Sequence, residues 1–369
     1  MGPNKTETAT VFPNTTRSVF YCSHAPPIIW DLQDTTSPWV FAAVAFIISP
    51  PAVLLNALII IAVKRRRELK RTSNILLSSL AVTDLLVGSL CVPLSAVVGL
   101  LVSYQVLTDY YICVLDFVAI SPTVILTICS IFHLTMMAWE RYVAIRKWID
   151  YKVMVTQSLM KKLAIIAWIS ALVTVSPPVF ITAFAGMMRD NERLLALKIF
   201  LTVVPILVMF ALGLIVYFYV MVYLEVRKRK LNQIRQVSEL VNAKHERRVA
   251  MTTALVTIAV ILSFFPRILS GFLQGIYPVF RQRLAMRVDD TFLYLNSVAN
   301  PLIYCYRDRP FRNAVLEILR IRKPKVEPVE MIAARFRDVS RNNVFGSGKD
   351  ELQIQKVEEP VRVTSPGGH

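Results

Sequence analysis

Long apolar runs that hold almost no charge dominate the chain and restrict what it can fold into. A helix rises about 1.5 Å per residue, so roughly 20 apolar residues cross the hydrocarbon core of a bilayer. Six runs are long enough, and their only Asp, Glu, Lys or Arg residues are Asp84, Asp116 and Arg267. Hydropathy alone does not establish a seventh run, 291–306, which is shorter and more polar. The sequence therefore predicts seven membrane-spanning helices, here called spans one to seven. The first six runs cover residues 40–63, 72–108, 110–139, 163–188, 199–224 and 249–280.

Positive charge collects in the connections on one side of these spans. The formal net charge of +17 would by itself suggest a nucleic-acid partner. Its distribution argues against one, because Lys-rich and Arg-rich connections between spans stay in the cytoplasm. The connection before span seven, with Arg281, Arg283 and Arg287, is the exception. We therefore predict an extracellular N-terminus, a cytoplasmic C-terminus, and inner loops that face anionic membrane lipid and an intracellular partner. The basic inner segments are 64–71, 146–152, 227–230 and 307–312.

The predicted outer side carries two kinds of candidate modification. Asn4 and Asn14 each begin an Asn-X-Thr sequon, which is glycosylated only on the lumenal side. Cys22 and Cys113 both fall on this oxidising side. A disulfide between them is possible, and the sequence leaves the pairing open.

The chain divides into three predicted parts. Residues 1–37 form an extracellular N-terminal tail, 38–320 a seven-helix domain, and 321–369 a disordered cytoplasmic tail. After span seven, Phe311 and Val315 recur at helical spacing among charged residues, which predicts an amphipathic eighth helix on the inner leaflet. The predicted fold class is an all-α membrane protein, a seven-helix bundle with this short eighth helix.

One acid lies too deep in the membrane to reach its surface. Asp84 is in the middle of span two, where a charge costs about 2.5–3.5 kcal/mol on insertion scales. A carboxylate there needs a cation, a proton or several hydrogen-bond donors. Sequence spacing leaves open whether the polar residues of other spans join it or make separate hydrogen bonds. The candidates are Asn56, Ser130, Asn296 and Asn300.

Short motifs occur along the spans in a defined order. Asn56 lies in span one, "LAVTDLL" surrounds Asp84 in span two, and "ERYVAI" ends span three. Trp168 follows in span four, Pro266 in span six, and "NSVANPLIY" in span seven. In this order and in a seven-span chain, the motifs resemble those of the rhodopsin-like (class A) G-protein-coupled receptors.

The resemblance implies a receptor that passes an extracellular ligand signal to heterotrimeric G proteins. Arg141 would pair with Glu140 and with Glu246 at the foot of span six in the resting state. Activation would break this clasp, move span six outward and open a groove for the G protein. The switch and coupling residues implied are Glu140, Arg141, Tyr142, Ile149, Tyr219, Glu246, Asn300, Pro301 and Tyr304.

The resemblance also implies an allosteric Na⁺ site that favours the inactive state. No other cofactor is expected. The residues that would line the site are Asp84, Ser130, Asn296 and Asn300.

The chain departs from the family's pattern at its outer end. The second outer loop has no cysteine, so the family's bridge to span three cannot form. Asp116 stands at the expected cysteine position in span three, and Phe264 stands where a tryptophan is usual in span six.

The ligand is constrained by three positions. The aspartate of amine receptors would fall at Thr123, which argues against a monoamine, and Tyr294 replaces the lysine that holds retinal in opsins. Arg267 is either the counter-ion of an anionic ligand or the partner of Asp116 or water. The candidate ligand residues are Thr123, Thr127, Phe264, Arg267 and Tyr294.

Two other classes of membrane protein compete with this interpretation. A small-solute secondary transporter should show paired repeats and broken helices, which the sequence lacks. A seven-span receptor-like protein without G-protein coupling is the second alternative, and the intact Glu140-Arg141-Tyr142 motif argues against it. No set of residues has catalytic spacing, so no enzyme activity is expected. The expected location is the plasma membrane, as a multi-pass glycoprotein active in signal transduction.

Overall fold

Each predicted span corresponds to a helix in a computed structural model of the chain. Spans one, three, four, five, six and seven are α1 (Thr36–Arg65), α4 (Asp109–Arg146), α6 (Gln157–Ala183), α7 (Asp190–Gln233), α8 (Leu240–Leu273) and α9 (Arg283–Arg307). Span two is α2 (Asn74–Leu86), a π-helical turn (Val87–Cys91) and α3 (Val92–Ser103). A 3₁₀ turn (Arg67–Leu69), α5 (Tyr151–Met154) and the eighth helix, α10 (Arg309–Ile318), complete the helical elements of the described residues.

The structure describes most of the chain up to residue 321. Several predicted features lie outside the described residues: the sequons at Asn4 and Asn14, Cys22, and the tail from residue 322. The backbones of Cys113 and Glu246 are described within helices, but their side chains are not. The described residues are 19–21, 29–31, 34–104, 106, 109–147, 149–183, 190–233, 240–273, 276–277, 279, 282–307 and 309–321.

Five of the described helical segments are long and apolar enough to cross a membrane, and they correspond to spans one to five. In α8 the apolar segment found is the shorter Ile258–Leu273. The helix of span seven is more polar because Arg283, Arg287, Asp289 and Asp290 occupy its first turns. This explains why hydropathy alone is a weak indicator of span seven.

A short hairpin precedes span one and was not predicted. Strands β1 (Val19–Tyr21) and β2 (Ile29–Asp31) pair antiparallel, with Val19 opposite Asp31.

Span one packs along a single seam of buried side chains in which alanines alternate with larger residues. Its buried residues recur every three or four positions, and include Ala45, Ala52 and Ala62. Within a membrane, small residues at such seams let helix backbones approach closely. Gly88 in the π-helical turn shows how close this approach is: a Cβ there would lie 2.7 Å from the Cβ of Ala52. Ser49 fixes the contact by donating a hydrogen bond to the Gly88 carbonyl at 2.7 Å.

Span four is anchored to spans two and three through one hydroxyl. The Ser79 Oγ accepts a hydrogen bond from Trp168 Nε1 at 3.1 Å and lies 2.7 Å from His133 Nε2. The His133 Nδ1 lies 2.8 Å from the Cys129 carbonyl. His133 is therefore a hydrogen-bonded structural residue.

The eighth helix joins the end of the bundle that is predicted to face the cytoplasm, here called the inner end. Phe311, Ala314 and Val315 bury one face of α10, and Phe311 belongs to a core shared with spans one, two and three. Glu317 forms an ion pair with Arg66 of the first inner loop. These contacts hold α10 beneath the bundle.

Candidate functional site

The inner end of span three carries a buried carboxylate that two neighbouring side chains contact. Only 2% of the Glu140 side chain is exposed. Its Oε1 accepts a hydrogen bond from the Tyr151 hydroxyl at 2.5 Å, and its Oε2 lies 3.3 Å from Nε of Arg141. Tyr151 is the first residue of α5 in the second inner loop. The carboxylate therefore links that loop and Arg141 by charge-assisted contacts.

Two tyrosines predicted to respond to activation are buried within electrostatic range of this arginine. Tyr219 of span five and Tyr304 of span seven are buried and within electrostatic range of Arg141. The predicted third partner, Glu246, is in α8, but its side chain is outside the described set. The Arg141–Glu246 clasp therefore remains a prediction.

The remaining predicted coupling residues lie around the same end of the bundle. The Tyr142 hydroxyl accepts a hydrogen bond from Arg146 at 2.9 Å, and its ring packs against Phe218. Ile149 in the second inner loop is 74% exposed. A large apolar side chain this exposed in an inner loop is available to contact a partner.

A hydrogen-bonded polar cluster joins spans one, two and seven around Asp84. The Asp84 side chain is buried, and its two oxygens accept hydrogen bonds from Ser297 Oγ at 2.8 Å and Asn300 Nδ2 at 2.9 Å. Asn56 donates to the carbonyl of Ser297 at 2.9 Å and to that of Ala52 at 2.8 Å. The structure therefore brings three of the predicted polar residues into one network, with Ser297 as the link.

Two further oxygens near this level lack hydrogen-bond partners within the described part of the chain. They are the Ser130 Oγ and the Asn296 Oδ1, and both are buried. The Thr83 Oγ1 lies 3.9 Å from Cys129 Sγ, which places the Ser130 region of span three beside the Asp84 region of span two. Buried oxygens without partners are unusual and could coordinate a hard cation.

The candidate ligand residues lie at different depths in the bundle. Tyr294 is almost fully buried, and its hydroxyl is 3.1 Å from Ser95 Oγ. Thr123 is buried and donates back to its own helix, while Thr127 is partly buried. Phe264 belongs to the inner hydrophobic core. Tyr294 and Phe264 thus belong to two different buried hydrophobic clusters.

Arg267 lies in a looser ion pair than expected for a buried charge. Its Nη1 is 4.0 Å from Asp289 Oδ2, and its side chain is 36% exposed. Asp289 also accepts a hydrogen bond from Ser270 at 3.0 Å. Asp116, the partner considered for Arg267 from sequence, instead lies 3.0 Å from Arg283. Because Arg267 is partly exposed and 4.0 Å from the buried Asp289, this pair contributes little to stability.

Sequence reasoning missed Ser297, Asp289 and Asp290 as parts of these networks. Ser297 is three residues before Asn300, which places both on one helix face. Asp289 and Asp290 precede the predicted span seven, 291–306, so they are not intramembrane charges in the sequence prediction.

Comparisons with known proteins agree with the fold. The family model described as "7 transmembrane receptor (rhodopsin family)" matches residues 55–304. Trace amine-associated receptor 7d of Rattus norvegicus is 26% identical over 71% of this chain and 77% of its own length. The histamine H2 receptor of Cavia porcellus is 27% identical over 70% and 73%. The 5-hydroxytryptamine receptor 1B of Didelphis virginiana is 32% identical over 42% and 39%. The predicted seven-helix membrane fold is confirmed.

Proposed function

Because the chain belongs to the rhodopsin family of seven-transmembrane receptors, it couples an extracellular ligand to G proteins, and we propose that Glu140 holds its resting state. The G-protein-coupled function predicted from sequence is confirmed by this membership, and the matched proteins are receptors, not enzymes. The observation that carries the proposal is the buried carboxylate of Glu140 between Tyr151 and Arg141.

In the proposed mechanism, ligand binding releases Arg141 from Glu140. The freed guanidinium turns to contact Tyr219 and Tyr304, which lie within electrostatic range of it in the structure. The inner end of span six moves outward, and the G protein enters the groove that opens. The exposed Ile149 side chain then packs against the G protein. Each state uses contacts that the other lacks, which a two-state switch requires.

A G-protein activation panel in cells tests this function. Peptides, lipids, nucleosides, organic acids and monoamines are applied to cells expressing the receptor or its Arg141→Ala variant at equal surface density. We expect a response in one chemical class from the unmodified receptor and none from the variant. A response of equal size from both would contradict the proposed role of Arg141.

We further propose that Na⁺ binds among Asp84, Ser130, Asn296 and Asn300. Two of these residues supply buried oxygens that have no described partner, and Asp84 supplies the negative charge. Na⁺ is a hard cation and favours such oxygen ligands. Bound there, it would neutralise the carboxylate and connect spans two, three and seven in the resting arrangement.

The matched receptors are named for amines, but we propose a different ligand class for this chain. Thr123 offers no charge at the position where the amine-binding aspartate would fall. The acids described toward the outer ends of spans three and seven all have an arginine within 4.0 Å: Asp116, Asp289 and Asp290. A ligand ammonium would have to displace one of these arginines.

An anionic ligand fits Arg267 better. This guanidinium is partly exposed and only loosely paired with Asp289, which Ser270 also holds. A ligand carboxylate or phosphate could accept two hydrogen bonds from its planar fork. We expect Arg267→Gln to lower the potency of an organic-acid agonist by roughly tenfold or more, and Arg267→Lys to lower it less. Activation by a monoamine that is insensitive to both substitutions would refute the anionic assignment.

We propose that the receptor lies in the plasma membrane with its N-terminus outside. The basic connections support this orientation, and the apparent exception before span seven has a local explanation. Arg283 pairs with Asp116 and Asp290, so it is neutralised inside the bundle. Antibody access to an N-terminal tag on intact cells tests the orientation, and access only after permeabilisation would contradict it.

A further inference from the structure

A buried ion cluster joins the outer ends of spans three and seven. Arg283 is the first residue of α9, and its Nη2 lies 3.0 Å from Oδ1 of Asp116 in span three. Its Nη1 lies 3.9 Å from Oδ2 of Asp290, which is about two helical turns further along span seven. The side chains of Arg283 and Asp116 are only 6% and 3% exposed. Charges this buried are retained only when they are paired.

A second arginine extends this cluster to spans one and two. Arg287, one turn after Arg283, donates from Nη1 to Ser37 Oγ at 3.2 Å. The Ser37 hydroxyl in turn donates to the carboxylate of Asp34, just before span one. The Arg287 guanidinium also lies over the Phe41 ring, 5.9 Å from its centroid. Each donor in this relay therefore faces an acceptor: Arg287 donates to Ser37, and Ser37 donates to Asp34.

Arg287 packs against span two at Gly99, a residue that has no side chain to displace it. A Cβ at Gly99 would lie 2.8 Å from Nη2 and 3.3 Å from Cζ of Arg287. The guanidinium therefore lies directly against the backbone of span two. Ser37 and Phe41 also contact this buried guanidinium, so it has little freedom to move away from a larger residue at position 99.

We propose that Arg283 and Arg287 are positioning residues whose charges hold the outer ends of spans one, two, three and seven together. No cysteine occurs between Cys129 and Cys305, so no disulfide can join span three to the second outer loop. Asp116 instead ties span three to span seven ionically. This proposal concerns the outer end of the bundle and does not depend on the ligand or on the inner switch.

Arg283 lies close to two acids, so replacing Arg283 should destabilise the receptor more than replacing Asp116. Arg283→Gln removes the arginine that lies 3.0 Å from Asp116 and 3.9 Å from Asp290, whereas Asp116→Asn leaves Arg283 paired with Asp290. Thermal unfolding of the purified full-length receptor in lipid nanodiscs, followed by tryptophan fluorescence, needs no ligand. We expect Arg283→Gln to lower the unfolding temperature by roughly 5–10 °C and Asp116→Asn to lower it less. Lys161→Gln, which removes an exposed inner cation, should leave the unfolding temperature unchanged.

Rescue distinguishes a charge tie from ordinary packing. Adding Asp116→Asn to Arg283→Gln removes an acid that has lost its ion-pair partner. The double variant should therefore recover at least half of the decrease in unfolding temperature caused by Arg283→Gln. The reversed pair Asp116→Arg/Arg283→Asp should be more stable than either reversal alone. If the unfolding temperature of each double variant falls by at least the sum of the decreases in its two single variants, the ionic tie is refuted.

A distance measurement tests positioning directly. Spin labels on unnatural amino acids at Val114 and Leu284, both exposed, report the separation of spans three and seven. We expect Arg283→Gln to broaden the distance distribution and Leu126→Ala, a nearby core truncation, to leave it narrow. If Arg283→Gln does not fold, the milder Asp290→Asn and Gly99→Ala replace it. A distribution that stays narrow in every folded cluster variant would overturn the proposal.

Discussion

Replacing Tyr151 with phenylalanine removes one hydroxyl from the inner end of span three and keeps the aromatic ring. The hydroxyl donates to Glu140 Oε1 at 2.5 Å. Burial raises the pKa of Tyr151, and the charge of Glu140 raises it further, so the phenol keeps its proton at neutral pH. The donor is therefore present throughout the physiological range, and its removal is a defined loss of one hydrogen bond.

The size of the effect follows from the charge of the acceptor. A hydrogen bond to a charged group contributes about 1.5–3 kcal/mol. If the bond exists only in the resting state, its loss shifts the balance between resting and active receptor by up to roughly tenfold to a hundredfold. Because water can reach the partly exposed Tyr151 and replace the donor, we expect the lower end of this range.

The assay is ligand-independent nucleotide exchange on G proteins in membranes with equal receptor density. Tyr151→Phe should raise basal exchange several-fold. Tyr223→Phe is the matched control, because it removes the hydroxyl of an exposed tyrosine in span five. Equal exchange by Tyr151→Phe and the unmodified receptor would mean that the bond does not favour the resting state, and would refute the reasoning.

Three further predictions concern other parts of the bundle. Asp84→Asn should weaken the effect of Na⁺ on agonist affinity, measured with Na⁺ replaced by a bulky organic cation, and an unaltered salt response would refute the site. Glu246→Ala should raise basal signalling at matched surface expression, since the predicted clasp loses its partner, and unchanged signalling would count against the clasp. Gly88→Ala should destabilise the receptor by about 1–3 kcal/mol through overpacking against Ala52. Adding Ala52→Gly should restore part of the unfolding temperature, and no recovery would contradict the proposed contact.

The membrane spans could be predicted from sequence because bilayer thickness imposes a length on every spanning helix. The amphipathic eighth helix was predictable for a similar local reason, the periodic spacing of Phe311 and Val315. The hairpin of β1 and β2 was missed because its strands are only three residues long. The π-helical turn at Gly88 packs against span one, and local sequence does not encode that contact.

The partners of the buried polar residues were harder to predict from sequence than the spans. Asp84 was recognised because a lone intramembrane acid requires partners, but only the structure shows that Ser297 connects it to Asn56. Pairing between Asp116 and Arg283 joins residues far apart in sequence, so spacing along one helix could not reveal it. Arg283 departs from the charge rule in the sequence, and its buried partners Asp116 and Asp290 account for the departure.

Basal nucleotide exchange by Glu140→Gln, alone and combined with Arg141→Ala, tests the central switch most directly because it needs no known agonist. The single substitution removes the negative charge that holds Arg141, and we expect exchange to rise above that of the unmodified receptor. The combined variant should lose this increase, since the arginine that the proposed switch releases is gone. A rise that persists without Arg141, or no rise in the single variant at equal surface density, would contradict the proposed switch.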